Sequence, residues 1–171
     1  MLRLRPFKIS DASYLLNWIQ DERSFQMWSA EQFTYPLSEE QLRTYKDRYD
    51  KDKYGWIFVA LDEVGIPVGH FLMRKADYQQ NSIHFGFIIV DPNIRGKGYG
   101  VEMLKLGVKY AFEILKVKRI TLGVFDVNPG AIACYKKVGF NTETYHKDVF
   151  TYGDEKWGLF NMAISAPREE L

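Results

Sequence analysis

Residues 95–100 read Arg95-Gly96-Lys97-Gly98-Tyr99-Gly100, and they lie between an apolar strand-like stretch and a segment with helical spacing. The first N–H groups of a helix have no intrahelical partners and carry the positive end of the helix dipole. Alternating glycines at that point leave the backbone open to a ligand. The run therefore predicts a diphosphate-binding turn, and so a phosphorylated cofactor.

Other glycine-rich motifs fit this run less well. A Walker loop requires Ser or Thr after Gly-Lys, whereas Gly98 follows Lys97 here. A dinucleotide-binding fold places its glycines after the first strand of a parallel set, with an acidic residue about twenty residues further on. An ordinary flexible turn is the plain alternative, and the basic residues beside the glycines disfavour it.

The composition predicts one globular domain spanning residues 1–171. Of these residues 46% are hydrophobic and 16% aromatic, which is enough for a single well-formed core. The 23 basic and 22 acidic residues give a net charge of +1, so no overall field attracts nucleic acid or an anionic membrane. Any phosphate binding must therefore come from a local site rather than from the overall charge of the protein.

The cysteine and histidine content argues against structural metal and against a disulfide. Cys134 is the single cysteine, and the three histidines lack the close pairing of zinc sites. The first six residues alternate charged and apolar types, unlike a secretory signal, and no apolar stretch approaches membrane-spanning length. We therefore expect a cytoplasmic protein.

Hydrophobic spacing and turn residues predict an α/β fold whose first two elements are a strand and a helix. Ser10 or Asp11 is expected to cap the first helix, and Asp21–Leu37 is interpreted as a loop. Ser38 and Gln41 have the spacing of a capping box for a second helix. Further helices are expected after Gly100 and after Asn128. Strands are predicted at residues 2–6, 56–61, 68–73, 83–90 and 119–124, with two more around the turn at residues 152–155.

Two motifs resemble those of the GNAT superfamily of N-acetyltransferases. The pattern Arg95-x-x-Gly98-x-Gly100 matches the family's pyrophosphate signature. The pattern Asn128-x-x-Ala131-x-x-x-Tyr135-x-x-x-Gly139-Phe140 matches the segment after its fifth strand. The resemblance implies a mixed, mostly antiparallel sheet of six or seven strands, split at its centre, with helices on both faces. It also implies acetyl-CoA as cosubstrate, without a metal.

The resemblance implies roles for particular residues. Tyr135 is the expected general acid, because its ordinary pKa near 10 suits a leaving thiolate. A backbone N–H freed where the central strand splays would point at the acetyl carbonyl. The implied cofactor-binding residues are Ile88, Ile89, Val90, Arg95, Gly96, Lys97, Gly98, Tyr99, Gly100 and Asn128.

The candidate general base comes from a departure from the family pattern. In the branch of ribosomal-protein N-terminal and spermidine acetyltransferases, which the opening residues 2–6 with Asp11 and Trp18 resemble, an acidic residue often stands two before the glycine of the central strand. Here that position is His84, which becomes the candidate base. A packed interior histidine is the competing interpretation, and Tyr135 too could be an ordinary core residue.

The expected function is therefore acetyl transfer to a primary amine. Candidate acceptors are a protein N-terminus, a polyamine or other small amine, and an aminoglycoside, entering between the loop after the first helix and the turn at residues 152–155. Trp28, Phe33 and Tyr35 either line that route or pack in the core. A non-catalytic acyl-CoA sensor of the same fold is the alternative, and the resemblance also implies a homodimer.

Overall fold

The computed structural model describes residues 1–169, which form one seven-stranded sheet with helices on both faces. The order is β1-β2-β3-β4-β5-β7-β6, and β4–β5 is the parallel pair among otherwise antiparallel neighbours. The strands are β1 (Arg3–Pro6), β2 (Trp56–Leu61), β3 (Pro67–Asp77), β4 (Ser82–Val90), β5 (Arg119–Phe125), β6 (Asn141–Tyr152) and β7 (Glu155–Ser165). The predicted sheet, mixed and mostly antiparallel, is confirmed.

Five α-helices connect the strands. They are α1 (Ala12–Trp18), α2 (Glu22–Ser29), α3 (Glu39–Lys51), α4 (Tyr99–Glu113) and α5 (Pro129–Val138), with short 3-10 turns at Ile9–Asp11 and Pro92–Ile94. Within residues 1–169, no helix is both long and apolar enough to cross a membrane.

Two hydrophobic clusters occupy the two faces of the sheet. Alternate residues of β2 show the division, because Phe58 packs in the cluster with α4 and α5 while Val59 packs in the cluster with α1, α2 and α3. Helix α4 lies very close to the sheet at Gly107, where an added Cβ would come within 2.8 Å of the Phe71 ring. Close packing there fixes the helix that begins at the glycine run.

Several helix ends form as the sequence predicts. Ser38 accepts a hydrogen bond from the backbone N–H of Gln41 at 3.3 Å, and Gly139 ends α5. Asp11 precedes α1, yet its carboxylate pairs with Arg5 at 2.7 Å and accepts from the Lys8 backbone instead of capping α1.

The loop predicted from Asp21 to Leu37 is wrong for residues 22–29, which form α2. Asp21 caps this helix by accepting from the Ser24 N–H at 2.9 Å, and Phe25 and Trp28 pack inward at helical spacing. A cap followed by apolar residues at i+4 and i+7 was the signal that could have revealed the helix.

Candidate functional site

Strands β4 and β5 separate at the centre of the sheet. They pair only from Ser82 with Arg119 to His84 with Thr121, although β4 continues to Val90. A cleft of about 650 Å³ lies where they diverge. The predicted split of the sheet is therefore present, and it begins directly after His84.

A bulge in β4 lies at this opening. The pairing with β3 shifts between His70, opposite Ile89, and Leu72, opposite Gly86, which leaves an extra residue in β4. Phe87 occupies the bulge with a φ of +48°, a conformation that non-glycine residues seldom adopt.

The bulge reverses the faces to which alternate residues of β4 point. Phe85 packs in the cluster with α4, whereas Phe87 and Ile89 pack in the cluster with α1, α2 and α3. One extra residue moves the following side chains to the other face, so Ile88 and Val90 pack toward α4. Residues 88–90, the segment predicted to lie along the pantetheine arm, all line the cleft.

The glycine run forms an open turn at the start of α4. Gly96 and Gly98 have φ values of +85° and +78°, and an added Cβ on either would meet no atom within 4 Å. Gly98 is the N-cap and brings no side chain to the exposed N–H groups. Among residues 1–169, the backbone N–H groups of residues 96–101 find no protein acceptor. These features fit a diphosphate.

Most of the predicted run lies on the cleft wall. Arg95, Gly96, Gly98, Tyr99 and Gly100 line the cleft, whereas Lys97 does not.

Helix α5 forms the opposite wall. The side chain of Asn128 caps it by accepting from the Ala131 N–H at 3.3 Å, and this residue lines the cleft. The absence of a side chain at Gly100 lets α5 approach α4, because an added Cβ would stand 3.2 Å from Sγ of Cys134. The two motifs identified in the sequence thus face each other across the cleft.

Tyr135 contributes its hydroxyl to the same cleft. Its ring is buried at 6% exposure and packs edge-on against Phe140. The hydroxyl has no hydrogen-bond partner in the part of the chain that the structure describes. Burial raises the pKa of Tyr135 above its usual value near 10, so the hydroxyl stays protonated but is a weaker acid than an exposed tyrosine. Its place in the cleft, rather than this shift, is what supports a role as proton donor.

His84 is the predicted catalytic residue that the structure does not bring to the cleft. Its Nδ1 lies 2.8 Å from the Thr121 hydroxyl, beside the paired part of β4 and β5. Burial, with the nearby Arg74 and Lys75, lowers the pKa of His84 to about 4. This position gives no geometric support for His84 as the general base. The alternative interpretation, a histidine packed in the protein interior, describes it better.

His70, which is buried, and His84, which is partly buried, should make stability depend on pH. Burial lowers the pKa of His70, as of His84, from 6.5 to about 4. Between pH 4 and pH 6.5 the unfolded chain binds protons that the folded chain does not. The free energy of unfolding that depends on the two neutral histidines is therefore fully present above pH 6.5 and is lost as the pH falls toward 4. Each shift corresponds to about 3 kcal/mol.

Urea unfolding across this pH range measures the effect. In His84→Asn, the loss of unfolding free energy on acidification should shrink by about 3 kcal/mol relative to the unaltered chain. The same substitution at His146, which is exposed on β6, is the control. An equal acid-induced loss in the His84 variant and the unaltered chain would contradict the prediction.

Sequence reasoning missed the cleft wall formed by the end of α1 and by α2. The residues of this segment that line the cleft are Trp18, Ile19, Gln20, Asp21, Ser24, Met27 and Trp28. They were interpreted mostly as loop because charged residues interrupt the apolar pattern.

The aromatic residues of this region divide between core and cleft. Trp28 lines the cleft and stacks on Phe33 with ring centres 5.3 Å apart. Phe33 packs against Tyr45 and Phe87 in the core, while Tyr35 lies against Phe25 near the surface. Trp28 alone of the three predicted aromatics therefore reaches the cleft.

The end of the cleft next to α2 is acidic. Asp21 lines it, and the Ser24 N–H lowers the pKa of this carboxyl. Arg23 donates to both carboxylate oxygens of Glu155 at 2.9 and 3.0 Å, which joins α2 to the turn between β6 and β7. The pKa of Tyr152 is raised, first by burial and then by Glu22, Asp21 and Glu155, so these acids lie near Tyr152, and Asp21 is the one among them that lines the cleft. A cationic ligand would find complementary charge here.

No metal centre is evident in residues 1–169, where no group of three or more His, Cys, Asp or Glu side chains could hold an ion.

Comparisons with known proteins agree with this geometry. Residues 1–141 match the model of a family described as an acetyltransferase (GNAT) domain. A probable N-acetyltransferase of Bacillus subtilis, YjcK, is 29% identical over 148 residues, covering 82% of this chain and 80% of that protein. A spermidine N(1)-acetyltransferase of Vibrio cholerae is 26% identical over 149 residues, covering 87% and 84%.

A solved structure shares the fold. The crystal structure of spermidine N-acetyltransferase from Vibrio cholerae in complex with CoA and spermine matches with a TM-score of 0.84 at 24% identity. The match covers 96% of this chain and 95% of that one.

Proposed function

Because the chain belongs to the GNAT family of acetyltransferases, whose model matches residues 1–141, we propose that it transfers the acetyl group of acetyl-CoA to a primary amine of a small polyamine. One observation carries the proposal. The open glycine turn, the separated end of β4 and Tyr135 all line one cleft, with the Asp21 carboxylate at its α2 end.

The turn at residues 95–100 is proposed to hold the cofactor diphosphate. Its free N–H groups and the N-terminal end of the α4 dipole attract negative charge, and Arg95 adds a cation. The separated edge of β4 at residues 88–90 offers backbone groups to the pantetheine amides, in the manner of an added strand. When bound, acetyl-CoA supplies the acyl group as a thioester.

Tyr135 is proposed to protonate the thiolate that leaves when the amine attacks. Tyr135 lines the cleft, its hydroxyl has no hydrogen-bond partner within residues 1–169, and burial keeps it protonated. Asn128 lies on the same wall, where its side-chain amide is available to the cofactor arm after its oxygen has capped α5.

A polyamine suits the acceptor end better than a monoamine does. The second ammonium of a polyamine would reach the Asp21 carboxylate at the α2 end of the cleft while the first amine reacts. Relatives named as spermidine acetyltransferases support this choice of acceptor.

A thiol-release assay with acetyl-CoA and a panel of amines tests the function. Spermidine and spermine should be acetylated with a kcat/KM at least about tenfold above that of a monoamine of similar basicity, since they can occupy both ends of the cleft. A peptide with a free N-terminus and an aminoglycoside complete the panel. No turnover with any amine would favour the acyl-CoA sensor, and preference for the peptide would refute the polyamine assignment.

Asp21→Asn tests the acidic end directly. Asparagine is as good an N-cap as aspartate, so α2 should persist while one negative charge is lost. We expect the KM for spermidine to rise about three- to tenfold, with the KM for acetyl-CoA unchanged. Asp47→Asn, at an exposed position of α3, is the matched control. Equal spermidine KM values in the two variants would exclude Asp21 from acceptor binding.

The homodimer implied by the family resemblance stays a prediction. Edge strand β6 is long and largely exposed, so it is the part of the sheet on which a second copy would be sought first.

A further inference from the structure

A buried hydrogen-bonded chain lies behind the bulge of β4. His70, on β3 opposite the bulge, is fully buried, and its Nδ1 lies 2.8 Å from the carbonyl oxygen of Phe87. Its Nε2 lies 3.1 Å from the hydroxyl of Tyr45 on α3. Neither His70 nor Tyr45 lines the cleft.

The hydrogen-bond partners of His70 define which of its two ring nitrogens carries the proton. A carbonyl oxygen only accepts, so Nδ1 of His70 must donate to Phe87. Burial lowers the pKa of His70 to about 4, so the ring is neutral and its Nε2 is an acceptor. Burial also raises the pKa of Tyr45, whose hydroxyl therefore keeps its proton and donates to Nε2. The chain runs from Tyr45 through His70 to the Phe87 carbonyl.

The same peptide unit carries the N–H of Ile88. Because a trans peptide is planar, this N–H points away from the carbonyl that His70 holds. The strand ladder agrees, since the Asp91 N–H donates to Val68 at 2.9 Å and only every second residue of β4 faces β3. The Ile88 N–H therefore faces the side of β4 from which β5 has separated.

We infer that His70 is a positioning residue for acetyl transfer, which fixes the Phe87–Ile88 peptide so that the Ile88 N–H faces the acyl carbonyl in the cleft. The inference rests on the proposed function. The bulge needs such support, because its disrupted ladder removes a regular backbone partner and Phe87 has a costly positive φ. A donor held in place before the reaction is more effective than one that must reorient.

The tautomer of His70 gives a test that does not depend on activity. Free neutral histidine generally carries its proton on Nε2, whereas this arrangement requires it on Nδ1. Long-range ¹H–¹⁵N correlation spectra of the ¹⁵N-labelled protein at neutral pH distinguish the two forms, with His70→Asn identifying the signals. A neutral ring protonated at Nδ1 is expected. A ring protonated at Nε2, or a charged imidazolium, would overturn the inference.

Kinetics with matched variants test the positioning role. His70→Leu removes the donor and should lower kcat about 10- to 100-fold, with the KM for acetyl-CoA changed less than about threefold. His70→Asn, whose amide nitrogen can take the place of Nδ1, should recover most of that loss. Tyr45→Phe should lower kcat by a smaller factor, about three- to tenfold, because it removes only the hydroxyl that selects the tautomer.

The outcomes separate this inference from the proposed function. Equal kcat values for His70→Leu and His70→Asn, with wild-type turnover intact, would refute the positioning role alone. Should His70→Leu not fold, an undiminished kcat in Tyr45→Phe would refute it instead. A wild-type chain without turnover on any amine would refute the proposed function, while the spectra would still report the tautomer.

Discussion

Replacing Tyr135 with Phe is expected to lower kcat for acetyl transfer about 10²- to 10⁴-fold, while the dissociation constant for CoA changes less than about threefold. The substitution deletes the hydroxyl and keeps the ring that packs against Phe140. Without the hydroxyl, the departing thiolate loses the proton donor proposed for it. Steady-state thiol release and calorimetric CoA titration measure the two quantities.

Tyr110→Phe is the control for this substitution. Tyr110 lies on α4 and packs edge-on against Phe58, and its side chain does not line the cleft. Removal of its hydroxyl should leave kcat nearly unaltered. A Tyr135→Phe enzyme as active as the control would show that water or the bulk solvent protonates the thiolate.

Gly98→Val should weaken CoA binding at least about 100-fold. Gly98 has a φ of +78°, a region that β-branched residues almost never enter. The turn would have to change conformation to admit valine, and its N–H groups would then no longer converge on the diphosphate. Calorimetry with CoA gives the affinity, and a thermal melt gives the accompanying loss of stability.

Gly65→Val separates the loss of affinity from backbone strain. Gly65 lies in the turn between β2 and β3, has a φ of +89°, and also has open space around its missing side chain. Valine there should reduce stability by a similar amount but leave the CoA affinity intact. Comparable CoA affinities in the two variants would remove the glycine turn from the binding site.

The parts of the site that could be predicted from the sequence are those built locally. Gly96 and Gly98 lie within a few residues of the helix that they begin, and Asn128 caps the helix that carries Tyr135. Each of these features depends on neighbours in the chain, so a short pattern specifies it. The same locality explains why the cap at Ser38 was predicted correctly.

His84 was proposed as the base because it holds the position of an acidic residue in the family's central strand, whereas the structure places it beside the paired part of β4 and β5, outside the cleft. In a regular strand His84 shares a face with Ile88 and Val90, which line the cleft. The extra residue at Phe87 turns those two side chains to the opposite face from His84. Such a bulge depends on the pairing of β4 with β3, which no local pattern specifies.

Helix α2 was missed for a different reason. Its polar residues interrupt the apolar pattern, and its fit is decided by tertiary contacts such as Phe25 in the core and Arg23 with Glu155. Much of the proposed acceptor side of the cleft is therefore built from contacts between residues far apart in the sequence, which the sequence alone does not reveal.

The two core clusters on opposite faces of the sheet have a consequence for how this enzyme diverges from its relatives. The donor half belongs to the cluster with α4 and α5, whereas α1 and α2 belong to the other cluster. Among the described residues, Arg23 joins α2 to β6 and β7 through an exposed ion pair with Glu155 and a contact over the Trp157 ring, and exposed ion pairs contribute little to stability. Substitutions at exposed positions of α2 are therefore expected to alter amine preference over generations, whereas changes at Trp28, which packs against Phe87 of the bulge, would also disturb the proposed coenzyme A half.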